Sequence, residues 1–263
     1  MKELINTLKI KIEECEPETL KKIKIVSIII FLMWLLIPPS SLRGLAYDSK
    51  RQFGYTVYIK ENGEYEPYLV LAKNYNCSRK VLLFRKYALD EPMPYGTDYT
   101  GEHRTGYYKD CLIDIFLNNE FVETLDIKNQ IVDSDIGIIE SMPRADFEFE
   151  KISRKVFLLA YSEVVGYNKY FNGEGKMLKY FKHNVKRHIR TTKAGMSIIW
   201  KLRTWDLGQF YTTTKAIGYD GGIGASEVAT SNYVMPAFCL NPDTKIELKW
   251  IDWGLPKFVL VEN

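Results

Sequence analysis

An α+β fold with a largely antiparallel sheet is what this sequence predicts, and three observations predict it. Short runs of alternating apolar and polar residues, separated by turn residues, occupy both ends of the body of the chain. Helical spacing is confined to the middle, and no internal repeat or low-complexity tract interrupts the order strands, helices, strands. With 46% hydrophobic and 14% aromatic residues among 263, the chain can bury one sizeable core, which excludes a disordered protein. Lys and Arg number 36 against 33 Asp and Glu, and a net charge of +3 is too small to neutralise the phosphates of a long nucleic acid, so no nucleic-acid partner is expected.

The chain opens on Lys2 to Leu20, where Leu4, Ile5, Leu8 and Ile12 keep rough helical spacing before Pro17, so residues 1–22 read as an amphipathic tail. From Ile25 to Ile37 follows an uncharged apolar run, closed by Pro38 and Pro39, preceded by Lys21, Lys22 and Lys24 and followed by Arg43. A helix of that length covers only about 20 Å of a roughly 30 Å hydrocarbon core, and reaches spanning length if it extends from Ile23 to Leu45 with Lys24 and Arg43 snorkelling. Three readings are open: a membrane anchor, a leader cleaved near Gly44-Leu45-Ala46, and a segment buried in an assembly. The lysines favour the first, a single-pass anchor with the N-terminus inside and the body outside, meeting the membrane through Ile25–Ile37; a secreted or phage-particle protein is the alternative. The expected plan is a tail at 1–22, an anchor at 23–45 and one domain at 46–263.

In the body, Thr56 to Lys60 and the run from Tyr65 alternate as strands about Asn62-Gly63, the strongest hairpin signal in the chain. Val81 to Leu89 is a third strand, and residues 90–110, rich in Gly, Pro and Tyr, read as a loop. Helical spacing of Leu112, Ile115, Phe116, Phe121 and Leu125 predicts a helix from Cys111, bent or ended at Asn118-Asn119, with a weaker one over Leu125 to Val132. Asp133 to Phe149 is polar and irregular, and Lys155 to Tyr161 is a buried strand. The basic run from Lys176 to Arg190 reads as a helix with Met177, Leu178, Phe181 and Val185 toward the core and its cations in solvent; an anion-binding patch of Lys176, Lys179, Lys182, Lys186, Arg187 and Arg190 is the other reading. Strands then follow at 197–204, 210–219, across Ser226 to Thr230, at 233–240 and over Lys245 to Trp250, with Asp220 to Gly224 as a turn.

Chemistry-bearing residues are few. Cys15, Cys77, Cys111 and Cys239 lack ligand spacing, so no metal and no cofactor is expected, and an exported body would hold an odd number of cysteines, leaving at least one free. Gly173-Glu174-Gly175-Lys176 lacks the spacing of a phosphate loop. Three histidines and no nucleophile motif are poor material for catalysis; Glu163 with Asp206 or Asp220 is the one conceivable carboxylate pair, and turn-capping accounts for those residues better. The chain is therefore not expected to be an enzyme.

Ile199-Trp200-Lys201-Leu202-Arg203-Thr204, Ala216 to Ile223 and Tyr233 to Leu240 resemble a bacterial and prophage domain family of unknown function that carries a "WWLRSP … YVNSDGSV … GVRPALKL" pattern. Leu112 to Phe121 is similar to that family's "IRKWLNNDF" helix, and Lys155 to Val164 to its "KVFLLSYSEV" strand, so the resemblance runs from about residue 53 to about 248. Lys201, Trp205 and Met235 depart from the pattern. The resemblance implies a C-type-lectin-like domain with a mainly antiparallel sheet and two or more helices, behind the N-terminal hydrophobic helix. It further implies similarity to variable receptor-binding proteins of phages and diversity-generating systems, and to formylglycine-generating enzymes. Trp200, Leu202, Arg203, Gly221, Pro236 and Ala237 would be its structural signature.

In such a fold the chain between the signature strands supplies a ligand face. Here it carries Trp205, Asp206, Gln209, Tyr211, Thr213, Tyr219, Asp220, Glu227 and Asn232, rigid aromatics among short polar groups, which suits a glycan or protein ligand. Stacking is expected from Trp205 or Tyr211 and hydrogen bonding from Asp220 or Asn232. The alternative is a structural subunit, a homo-oligomer or part of a larger surface or phage-like assembly.

Overall fold

Asn62 and Gly63 both hold positive φ, 50° and 85°, as a two-residue primed turn requires. The chain therefore doubles back there, pairing β1 (Thr56–Glu61) with β2 (Glu64–Tyr75) from Glu61↔Glu64 outward. The computed structural model of the protein describes residues 25–26, 38–50, 54–96, 106–139, 149–182, 184–206 and 212–261. Met1–Pro39 separates as one unit from Ser40–Asn263, the body considered below.

The largest sheet continues through β3 (Lys80–Arg85) to β11 (Ala237–Leu240), and β11 is flanked on its other side by β4 (Ile131–Val132) and β7 (Val156–Phe157). At the far end β1 pairs in parallel with β13 (Lys257–Leu260), which pairs with the terminal β12 (Ile246–Lys249). That one parallel pair makes the sheet mixed. Two register shifts in the long β2, between Val70 and Ala72 and between Ala72 and Tyr75, let it curl around the core. All four residues of β11 are buried, and Tyr68 against Phe238 and Phe84 against Trp200 fill the concavity at ring separations of 5.2 and 5.7 Å.

Two smaller sheets complete the body: the hairpin of β5 (Ser134–Ile139) with β6 (Phe149–Arg154), and the order β10-β9-β8 formed by β8 (Trp200–Asp206), β9 (Thr213–Ile217) and β10 (Ile223–Glu227). In the body, described helix is limited to α1 (Leu112–Asn119), the single turn α2 (Tyr161–Val164) and short 3-10 turns.

The expected α+β class is thus corrected: the protein is mostly β, 39% strand against 15% helix. Segments with helical spacing proved too short to propagate, since a helix of a few turns depends on tertiary packing for its stability. The stretch after Leu125 forms a 3-10 turn and β4, and Asp133 to Phe149 supplies strand β5 and the start of β6. In α1 the buried face is Ile113 and Leu117, continued by Phe121, while Ile115 is exposed, so the helix is rotated from the expected phase. The basic run is not a helix either. Leu178, Tyr180 and Phe181 turn inward from an irregular stretch and turns, and among the described residues of the run only a 3-10 turn forms, at Val185–Arg187.

The N-terminal expectations change as well. Among the described residues no helix is long and apolar enough to cross a membrane, so the single-pass anchor and the N-terminal hydrophobic helix of the expected fold are not supported. Of Ile25–Ile37 only Ile25 and Val26 are described; the rest, and the tail at 1–22, lie outside the described residues. Leu42 and Leu45, assigned above to the anchor, are instead fully buried in the body, where Leu42 N–H donates to Thr244 O at 2.9 Å.

Candidate functional site

The residues resembling the family signature converge on a buried ion network. Arg203 comes from the middle of β8 and Glu163 from α2, and neither side chain touches solvent. The guanidinium grips both carboxylate oxygens of Glu163 at 2.8 and 3.1 Å and donates to the carbonyls of Gly137 at 3.0 Å and Leu158 at 2.7 Å, and to that of Glu174. Glu163 also accepts from the Tyr75 hydroxyl at 2.6 Å and from Ala160 N–H at 2.8 Å. Glu174 takes the Thr204 hydroxyl, and burial, only partly offset by Arg203 and Thr204, pushes its carboxyl up to about 8.

Trp200 is buried with its indole N–H on His188 O at 3.0 Å, and Leu202 beside it is fully buried. Pro236 O receives Arg85 N–H at 2.9 Å, and Ala237 sits between Phe84 and Phe157. Gly221 holds φ +83° against the 3-10 turn, where a Cβ would come within 2.9 Å of Val185 O. All six positions are buried in the body.

The other buried acids are likewise paired: Glu61 and Glu66 with Arg85, and Asp114 with Arg154 at 2.9 Å. Lys201, where the family pattern has a second Trp, is buried with its ammonium on Glu227 O at 2.6 Å, and desolvation pushes it down to about 8. Cys77, Cys111 and Cys239 are free thiols, the latter two buried.

The predicted ligand face is divided. Gln209 and Tyr211 lie outside the described residues. Trp205 is 3% exposed, packed with Ile139 and Phe171, and offers no outward ring; its row in the sheet, shared with Thr214 and Ser226, faces inward. Asn232 is also buried, donating to Ser226 Oγ at 2.7 Å. The opposite face carries Asp206, Thr213 and Glu227 side by side, because each is directly paired across β8, β9 and β10. Lys215, two residues along β9, joins them and pairs with Asp206 at 2.7 Å. Tyr219 and Asp220 stand at the other end of β9, about 13 Å or more from that row at roughly 3.3 Å per residue. Tyr219 is 65% exposed, and Asp220 Oδ1 caps Gly222 N–H at 2.8 Å. Lys215 escaped the sequence reading, although the alternation in Thr213 to Ile217 places it on the same face as Thr213.

Residues 78–242 match the family described as Domain of unknown function (DUF6273), and the chain belongs to that family. No curated protein and no solved structure matches the chain. The resemblance drawn above stands at the level of a domain family of unknown function, and the C-type-lectin-like relationship is not confirmed.

Proposed function

We propose that this domain is a non-catalytic recognition module that meets a glycan or protein partner on the outer face of the three-stranded sheet. The row Asp206, Thr213 and Glu227 with Lys215 carries the reading: two carboxylates, a hydroxyl and an ammonium on rigid strands match the alternating donors and acceptors of a hydroxyl-rich ligand. The carboxylates of Glu61, Asp114 and Glu163, each engaged by a guanidinium, serve the scaffold instead. A glycan array probed with the full chain, then with the Asp206→Ala/Glu227→Ala variant, tests this. Hits that vanish in the variant support the face, and hits that persist refute it.

A second reading, an assembly subunit, is favoured by the C-terminal hairpin. There Trp250 is 71% exposed, Leu255 81%, and Trp253 stands wholly in solvent, beside the half-exposed Leu248 on the terminal strand β12. Sedimentation of the full chain against Trp250→Ser/Trp253→Ser is the test. A particle that becomes smaller in the variant supports assembly through this hairpin, and an unchanged particle removes it.

A further inference from the structure

The basic run leaves Lys176, Lys179, Lys182 and Lys186 in solvent but turns Arg187 and Arg190 inward, onto aromatic rings. Tyr47, Tyr55 and Tyr180 form a triad of edge contacts with centroids 5.3 to 5.6 Å apart. Arg187 lies over Tyr47 at 4.7 Å and over Tyr180 at 5.0 Å, and donates to Tyr180 O at 2.9 Å. Arg190 lies over Phe84, Tyr180 and Phe181 at 5.4 to 5.7 Å. Beside this stack opens a cavity of about 330 Å³, lined by Tyr55, Thr56, Lys86, Tyr180 and Arg190 together with Gly54 and Leu69.

The charge balance of this cavity is one-sided. Among the described residues two cations line it and no carboxylate does. Arg190 is 6% exposed, its Nη2 reaches Arg187 O and, at 3.5 Å, the Tyr180 hydroxyl, and its Nε has no hydrogen-bond partner among the described residues. Lys86 lies over the Tyr87 ring at 5.2 Å and forms no ion pair among the described residues. Elsewhere in the body each buried guanidinium has a carboxylate: Arg85 has Glu61 and Arg203 has Glu163. A buried cation without an anion is costly, and an unfilled guanidinium N–H is the donor an oxyanion takes.

We propose that this cavity binds a small oxyanion-bearing ligand, its phosphate or carboxylate group held by Arg190 and Lys86 and its body set against Tyr55 and Tyr180. The volume fits one sugar-sized body. The site shares no residue with the sheet face proposed above, and stands or falls independently of it.

Calorimetric titration of the full chain in low-salt buffer with inorganic phosphate, glucose 6-phosphate, glucuronate and glucose tests the site. The anions are expected to bind at millimolar concentration or below and glucose not to bind. Loss of one charged hydrogen bond in Lys86→Gln or Arg190→Gln should weaken the anions by about tenfold or more. Lys86 lies outside the core, so its variant should melt within about 2 °C of the parent and decides the matter even if Arg190→Gln fails to fold. A preference between glucose 6-phosphate and glucuronate supports the site and identifies the oxyanion. No binding by any anion, or equal affinity in the parent and in Lys86→Gln, overturns it and leaves Arg190 as a packing group.

Discussion

Replacing Arg203 by Met keeps most of the side chain's bulk and removes only its charge and donors. The consequences follow from its contacts. Gly137 O, Leu158 O and Glu174 O each lose a donor, and Glu163 loses both of its guanidinium bonds, retaining only the Tyr75 hydroxyl and Ala160 N–H. Both partners are fully buried, so solvent does not screen the loss, and removing one partner of such a pair costs about 3–5 kcal/mol. At 2–4 °C per kcal/mol for a domain of this size, Arg203→Met should lower Tm by roughly 6–20 °C. Thermal and urea unfolding of the full chain measure it, the urea midpoint falling at unchanged slope. The double variant Arg203→Met/Glu163→Gln, which leaves no buried charge unpaired, should recover part of the loss, with a coupling of about 1 kcal/mol or more. A fall in Tm of less than about 2 °C for the single variant would refute the claim that this pair locks α2 and β8 together.

Glu174, raised to about 8 from 4.5, binds its proton more tightly folded than unfolded, so its contribution to stability is complete below about pH 4.5 and is lost as pH rises toward 8. Urea midpoints taken across that window should fall with pH in the parent and stay flatter in Glu174→Gln. Lys201, lowered to about 8 from 10.5, runs the other way: the folded state releases its proton first, so stability should rise between about pH 8 and 10.5, and Lys201→Met should melt higher than the parent at pH 7 and lose that slope. Gly221→Ala, forced to φ +83° with its methyl against Val185 O, should cost roughly 1–3 kcal/mol in urea unfolding, and Gly195→Ala, at φ +86° in open space, should cost less.

Local rules carried a good part of the architecture. The Asn62-Gly63 turn, the start of α1 at Cys111 and strands β1, β2, β3 and β12 follow from periodicity and turn chemistry within a few residues of one another. The buried strand at Lys155 to Tyr161 was legible as buried, but only Val156–Phe157 pair as β7, because β11 is too short to extend the ladder. Strand β13 and the β5-β6 hairpin went unread, since each depends on a partner whose register no local pattern announces: Val259 meets Tyr58 from the other end of the chain. For the candidate site, Asp206, Thr213 and Glu227 were named and come together, whereas Trp205 belongs to the core. The difference is register, because neighbouring positions on a strand face opposite ways and pairing alone decides which way is out.

The sequence by itself determined that the chain builds a well-buried, sheet-rich body, because apolar periodicity and turn residues are written in adjacent positions. Tertiary structure alone decided that Arg203 meets Glu163, that Leu42 belongs to the body, and that Arg190 ends in a cavity where no described residue supplies a carboxylate. Those outcomes are balances of charge and burial between residues tens of positions apart, and composition does not encode them.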